Sequence, residues 1–314
     1  MLFSILIANY NNSRFLLEAI KSVQQQVYTN WEIILVDDSS TDNFRDIALE
    51  LLPDKRIKVY QNKINEGCGY SKRKCAELAH GELMAFLDPD DAITPDALQI
   101  MYDAHLTNPS TSLIYSTHYI CDPLLRVNRI ADYPKALPPD TPYLLISDGS
   151  VHAFASFKRS CYLKTEGLAA HKRKAIDQDL YYKMEETGDF LFINKPLYYY
   201  RIHEGSISTS GKEYHATLVH YEIIRESCLR RIKAFKSANT ETKSFWIRKY
   251  KTRYYKISIL NSFRNKEWIK FLGHLAIYPF VGGMEHVYTY CKKIPYGGLS
   301  LFRKTFAYDH KIKV

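Results

Sequence analysis

Short, uninterrupted apolar runs alternate with amphipathic helical patterns along the first third of the chain, and this alternation limits the fold more than any other feature. Leu2 to Ala8 (LFSILIA) is the kind of run that a strand buried on both faces requires. It is followed by Phe15, Leu16, Ala19, Ile20 and Val23 at helical spacing. The unit then recurs: strand Glu32 to Val36, helix near Phe44 to Leu52, strand Ile57 to Tyr60, helix near Tyr70 to Ala79, strand Leu83 to Leu87, helix Pro95 to Leu106, strand Ser112 to Ser116. Strands and helices in this order predict an α/β fold, a mostly parallel sheet flanked by helices.

Beyond that point the pattern loosens. Tyr119 to Ser150 carries Pro123, Pro134, Pro138, Pro139 and Pro142 and reads as an irregular connection. Helices are expected near Arg159 to Thr165 and Gln178 to Glu186, then short strands at Phe190 to Ile193 and Leu197 to Arg201. From about His215 long, Tyr-rich helices take over, with breaks at Ser237 to Thr240 and Asn261 to Asn265. The expected division is residues 1–210 as one domain and 211–314 as a basic helical extension.

Charge supports that division. The formal net charge of +9 is the sum of 22 basic and 27 acidic residues up to Ser210 and 21 basic against 7 acidic from Gly211 onward. Six cysteines without a CxxC pair indicate neither a disulfide frame nor a structural zinc. Trp268 to Met284, the longest apolar stretch, is interrupted by Lys270, His274 and Pro279 and makes a poor spanning helix. A cytoplasmic location is the expectation.

In open α/β sheets ligands bind beyond the carboxyl ends of the strands. The first strand there ends in Ala8-Asn9-Tyr10-Asn11, the second in Asp37-Asp38-Ser39-Ser40-Thr41-Asp42 and the fourth in Asp88-Pro89-Asp90-Asp91. Asp88 and Asp90, two carboxylates around one turn, suit a hard divalent cation that keeps waters and completes its shell with substrate phosphates. A helix cap is the plainer role for Asp90 and Asp91, as a turn is for Asp37 and Asp38. Asn65 to Gly69 followed by Lys72, Arg73 and Lys74 joins flexible backbone to basic charge at a helix start, which suits a diphosphate. Neither GxGxxG nor GxxxxGK[ST] occurs, so the fingerprints of dinucleotide dehydrogenases and P-loop NTPases are missing.

The segments SILIANYNNSRFLLEAIKSVQQQ, WEIILVDDSSTD, NEGCGYSKRKCAELAHGELMAFLDPDD and AIDQDLYYKMEETGDFLFINKPLYYYRIHEGSIS, in this order, resemble the family 2 glycosyltransferases, inverting enzymes of the GT-A fold that use nucleotide-sugar donors. The resemblance spans Met1 to Ser208. It implies that residues 1–118 bind the nucleotide sugar and 119–210 the acceptor. By the same resemblance Ala8 and Tyr10 line the nucleotide pocket, Asp38 bonds the base and Asp88 lies near the ribose. Asp90 ligates a Mn2+ or Mg2+ ion, which His203 approaches, and Asp177 is the general base that takes the acceptor's proton. Where the family has Ala-Arg-Asn this chain has Ser71-Lys72-Arg73, so either Lys72 or Arg73 meets the diphosphate. Where it has Glu before the base this chain has Ile176, and Asp179 competes with Asp177 for the role. Asp177 alternatively caps a helix starting at Gln178. His152, Phe154 and Phe157 fall where such enzymes hold the acceptor, while Tyr198, Tyr199 and Tyr200 read as strand residues alternating between faces.

The function so implied is transfer of a sugar from a UDP-linked donor to a glycan or lipid-linked acceptor in cell-surface polysaccharide synthesis. A metal-dependent nucleotidyltransferase, or a non-catalytic membrane- or nucleic-acid-binding protein, is the alternative. Arg225, Arg230, Arg231, Lys233 and Lys236, then Arg248, Lys249, Lys251, Arg253 and Lys256, alternate with Trp246, Tyr250, Tyr254 and Ile257. Such helices either pack with solvated faces or lie on an anionic membrane surface, giving a peripheral protein. No nucleic-acid-binding motif is present, and no nucleic-acid partner is expected.

Overall fold

A computed structural model of the chain describes residues 1–51, 53–204, 213–238 and 241–282. They divide into two compact units, one from the described residues of Met1–Asp140 and Gly149–Lys212, the other from those of Thr141–Asp148 and Glu213–Val314. The division expected at 210/211 takes no account of residues 141–148, which group with the later helices.

The first unit is an α/β sheet with its helices. Parallel strands β1 (Phe3–Asn9), β2 (Trp31–Asp37), β3 (Ile57–Gln61) and β4 (Leu83–Phe86) lie in the order β3-β2-β1-β4. All of β2, and all of β1 except the half-buried Ala8, is inaccessible to solvent, as the apolar runs require. Helix α1 (Ser13–Gln24) buries Phe15, Leu16, Ala19, Ile20 and Val23, the five residues at helical spacing. Helices α2 (Phe44–Leu51), α3 (Cys68–Leu78) and α4 (Ala97–Thr107) complete the repeating pattern. Asp42 accepts from the Phe44 N–H at 3.2 Å and from the Ser13 N–H and hydroxyl at 3.0 and 2.8 Å, serving the starts of two helices at once.

The rest of the sheet is mixed. It continues from β4 through β8 (Ala155–Lys158), β6 (Thr111–Cys121) and β9 (Asp189–Arg201) to the two-residue β5 (Ala92–Ile93), with β7 (Val127–Ile130) on β6. β8 is antiparallel to both β4 and β6, whereas β9 is parallel to β6. Two expectations change here. The stretch 119–150 contains the end of β6, β7 and the short α5 (Tyr143–Ile146). The two short strands expected at 190–201 are one strand, in which Pro196 sits opposite Thr117 at a register shift, the kind of place where a strand tolerates proline. The short α6 (Arg159–Tyr162) and α7 (Ile176–Met184) follow β8.

The second unit holds α5 and three long helices, α8 (Glu213–Ser237), α9 (Lys243–Arg264) and α10 (Trp268–Gly282). Ile223, Ile224, Cys228, Tyr250, Ile257 and Leu260 form its interior. Arg231 and Arg253 are buried there too, donating to the Tyr250 hydroxyl at 3.1 Å and the Ile146 carbonyl at 3.2 Å. Part of the basic charge therefore holds helices together. Met284 and Cys291 lie outside the described residues, as does part of the break expected at 237–240. No helix among the described residues is long and apolar enough to cross a membrane.

Candidate active site

The strand ends bring the acidic segments to one edge of the sheet, where α3 and α7 meet them. Gly69, in the first turn of α3, makes this approach possible. A Cβ built there would stand 2.3 Å from the Lys172 carbonyl oxygen and 2.6 Å from that of Ala169. The close approach seats Lys72, one turn further along, between the turn after β4 and the start of α7. Its ammonium lies 3.1 Å from Asp88 Oδ1 and 2.8 Å from Asp177 Oδ1, with the Phe86 ring 5.2 Å away. The lysine side chain is only 7 % exposed, whereas the two aspartates are about half open to a cavity of about 180 Å³. Around that cavity stand His152, Phe157, Tyr181, Tyr198 and Tyr200.

The electrostatics follow from this crowding. Burial opposes the Lys72 charge, but Asp177 and Asp88 outweigh it and hold the proton on well above the usual lysine range. Burial, together with Asp177 and Asp90, raises the Asp88 carboxyl against the pull of Lys72. Asp91, buried beside Asp90 and Asp88, is pushed well up. Burial lowers the His152 imidazole to about 4 despite Asp177, so it is neutral at physiological pH. The Cys68 thiol, raised to about 11 by burial, is no nucleophile.

Asp90 meets His203 rather than the cavity: His203 Nε2 lies 2.9 Å from Asp90 Oδ2. Among the described residues no three His, Cys, Asp or Glu side chains form a metal cage. The donor set nonetheless fits a hard cation of the kind held by one or two carboxylates and substrate phosphates. Asp88, Asp90 and Asp91 share one turn, and their mutual repulsion is what such a cation relieves.

Other expected residues lie outside the lining of that cavity. Arg73 is turned away from the cavity, donating to Glu77 at 2.8 Å and to the carbonyls of Leu168 and Glu166 at 3.1 and 3.3 Å. Neighbours on a helix point in different directions, so Lys72 and Arg73 cannot share the task. Asp38 is buried, with its carboxylate accepting from Asn62 Nδ2 at 2.8 Å and from the Glu66 and Gly67 N–H groups at 2.9 and 2.7 Å. In this arrangement it braces the turn at Gly67, whose φ is +97°. Ala8, next to last in β1, is half-buried and Tyr10 is exposed just beyond the strand, both outside the cavity lining.

Asp179 is buried in an ion pair with Lys183 at 2.8 Å and accepts from the Ala169 N–H at 2.9 Å, so it faces away from Asp177. Helix α7 begins two residues earlier than expected, with Ala175 as its cap, which puts Asp177 in the first turn instead of at the cap. His152 and Phe157 line the cavity, whereas Phe154 is core. Tyr198 and Tyr200 face the cavity while Tyr199 stacks on Tyr119 at 5.2 Å on the other side of β9. Their period of two marks them as a pair; nothing in the sequence marks Phe86 or Tyr181.

Known proteins share this fold. The family model described as "Glycosyl transferase family 2" matches residues 4–163. The chain is 28% identical over 270 residues to the chondroitin synthase of Escherichia coli, covering 86% of this chain but 36% of that protein, so it spans about a third of that relative's length. Among solved structures it superposes on residues 1–349 of S. aureus TarS in complex with UDP-GlcNAc with a TM-score of 0.68 at 19% identity, covering 90% of this chain and 81% of that one. The mannosyltransferase PcManGT from Pyrobaculum calidifontis, in complex with GDP-Man and Mn2+, gives 0.57 at 15% identity, over 98% and 84% of the two chains. These likenesses show the GT-A fold, and with more than half of its length matched by the family model the chain belongs to glycosyl transferase family 2.

Proposed function

We propose that the protein is an inverting glycosyltransferase that moves a sugar from a UDP-linked donor to a hydroxyl of a glycan or lipid-linked acceptor in polysaccharide assembly. The observation that carries this reading is the Asp177–Lys72–Asp88 cluster on one half-open cavity. Asp177 takes the proton from the acceptor hydroxyl as that oxygen bonds to the anomeric carbon. The bond from that carbon to the diphosphate oxygen breaks on the opposite face, and the nucleoside diphosphate leaves with the electron pair. Lys72 meets the diphosphate, and His152 and Tyr200 border the acceptor. Residues 1–118 hold the donor, with Ala8, Tyr10 and Asp38 on the nucleotide side.

A Mn2+ or Mg2+ ion held by Asp88 and Asp90, beside His203, would offset charge on the departing diphosphate. The coordination chemistry of the aspartate pair and the Mn2+ bound to PcManGT support this. The names of the relatives support the donor and acceptor classes: TarS is described with UDP-GlcNAc, and chondroitin synthase makes a glycan. The decisive experiment is Asp177→Asn, expected to abolish transfer while calorimetry finds UDP-sugar affinity within about twofold of the parent, as for a group acting in the transition state alone. Lost donor affinity would overturn the assignment of the base, and release of pyrophosphate in place of UDP the reaction itself.

We further place the protein at the cytoplasmic membrane face through its second unit. On α10 Ile269 and Phe280 are 90% and 89% exposed, and Trp268, Leu272 and Ile277 are exposed beside them. Arg248, Lys249 and Lys251 are exposed on α9. An apolar face with basic neighbours suits the interface of an anionic leaflet.

A further inference from the structure

We infer that Arg201, the last residue of β9, is a positioning residue that fixes the direction in which Asp90 presents its carboxylate; this rests on the reading of Asp90 as a cation holder. The Arg201 side chain is 2% exposed, and its groups diverge onto four partners. Its backbone N–H donates to Asp91 Oδ1 at 2.7 Å, and Nε donates to the Asp90 carbonyl oxygen at 2.5 Å. Nη1 donates to the Pro123 carbonyl and Nη2 to Glu18 Oε2, both at 2.5 Å. The guanidinium also lies 4.2 Å from the centroid of Phe15, whose ring is 4.7 Å from that of His203.

The result is a two-sided grip on one residue. Arg201 holds the Asp90 carbonyl, and His203, two positions further along, holds the Asp90 carboxylate at 2.9 Å. The turn between β4 and β5 has only the Asp91 N–H to Asp88 carbonyl bond, at 3.1 Å, to set its own shape. β9 holds its Asp90–Asp91 end, whereas Lys72 and the Leu87 N–H bond to the Leu6 carbonyl, at 3.0 Å, hold its start. Only a planar fork can reach Asp90, Pro123 and Glu18 together, so lysine, a single donor centre, is no substitute. Glu18 balances the buried charge, which leaves the aspartates of the turn available to a cation.

The test measures UDP binding to the full chain by calorimetry, with Mn2+ and with EDTA, for the parent, Arg201→Lys and Asp90→Ala, alongside thermal unfolding. Arg201→Lys is expected to lose about ten- to a hundredfold of the affinity in Mn2+, the usual effect of removing an outer partner of a metal ligand, and less than about twofold in EDTA. Glu18→Ala, at a side chain that is 52% exposed, removes one anchor and is expected to shift the same difference in the same direction even if Arg201→Lys does not fold. An unchanged Mn2+-dependent gain in Arg201→Lys, or in Glu18→Ala if the lysine variant is unfolded, overturns the inference. So does an equal loss in both media, which marks a general structural role. A parent that gains nothing from Mn2+, or an Asp90→Ala variant that keeps the gain, overturns instead the reading of Asp90 on which the inference stands.

Discussion

Asp177 and Asp179 are two residues apart, both ionisable and both in the first turn of α7, and stability separates them as sharply as activity does. Asp179 and Lys183 have side chains only 4% and 6% exposed and meet at 2.8 Å. Lys183 has one further partner, the Gly167 carbonyl at 2.7 Å, and Asp179 one, the Ala169 N–H at 2.9 Å. Asp179→Asn keeps the shape and can keep the bond from Ala169, but strands a buried ammonium without its counter-ion. Removing one member of a buried pair costs ~3–5 kcal/mol. At roughly 2–4 °C per kcal/mol for a unit of this size, the melting temperature should fall by about 6–20 °C. The double variant Asp179→Asn/Lys183→Met, which removes the stranded charge, should recover most of that loss. Asp177→Asn should cost no more than about 1 kcal/mol, because Asp177 is half exposed and Lys72 keeps Asp88. Urea and thermal unfolding followed by circular dichroism measure all three. An Asp179→Asn midpoint equal to the parent's, or an Asp177→Asn loss as large as that of Asp179→Asn, refutes the assignment of structural and chemical roles.

Two other expectations concern pH and lipid. His105 is 2% exposed, with Nε2 3.0 Å from Ser156 Oγ, and burial, aided by Lys158, lowers it from 6.5 to about 4. The unfolded chain therefore binds the extra proton first: the stabilisation is complete above about pH 6.5 and is lost as pH falls toward 4, by about 2 kcal/mol at pH 5. Melting curves of the parent should drop between pH 7 and 5 more than those of His105→Gln, and parallel curves would contradict the linkage. For the membrane, Phe280→Ser in the full chain should remove about 2 kcal/mol of apolar burial, roughly thirtyfold in binding to phosphatidylserine vesicles, and added salt should weaken the parent's binding. Salt-independent binding, or no effect of the substitution, would count against that surface.

The parallel half of the sheet was legible because β1, β2 and nearly all of β4 are buried on both faces, which leaves an unmistakable apolar run such as LFSILIA. The mixed half was legible only in part: β6 and β9 were expected, β5, β7 and β8 were not. Strand β5 has two residues, β8 four, and the partner that makes each a strand is distant in sequence, at Tyr198 and Tyr199 for β5 and at Leu83 to Ala85 and Leu113 to Tyr115 for β8. The candidate site divides in the same way. Motif order brought out Asp88, Asp90 and Asp177, but which neighbour faces inward depends on tertiary packing. Of Lys72 and Arg73, it is Lys72 that lines the cavity, on a helix whose Gly69 packs against the 169–172 loop. For Asp179 the signal was present: Lys183 lies four residues on, the spacing of a helical ion pair.

Strand β9 also works as a ruler. Over thirteen residues it runs beside β6 and delivers Tyr198 and Tyr200 to the cavity, then Arg201 and His203 to the Asp88–Asp91 turn. Because side chains alternate from Tyr198 to Arg201, beyond the register shift at Pro196, one residue gained or lost within that stretch would exchange Tyr199 for its neighbours and swing the guanidinium off the turn. The spacing from Tyr198 to Arg201 therefore keeps the tyrosines of the cavity and the Asp88–Asp91 turn in phase by a single count of residues.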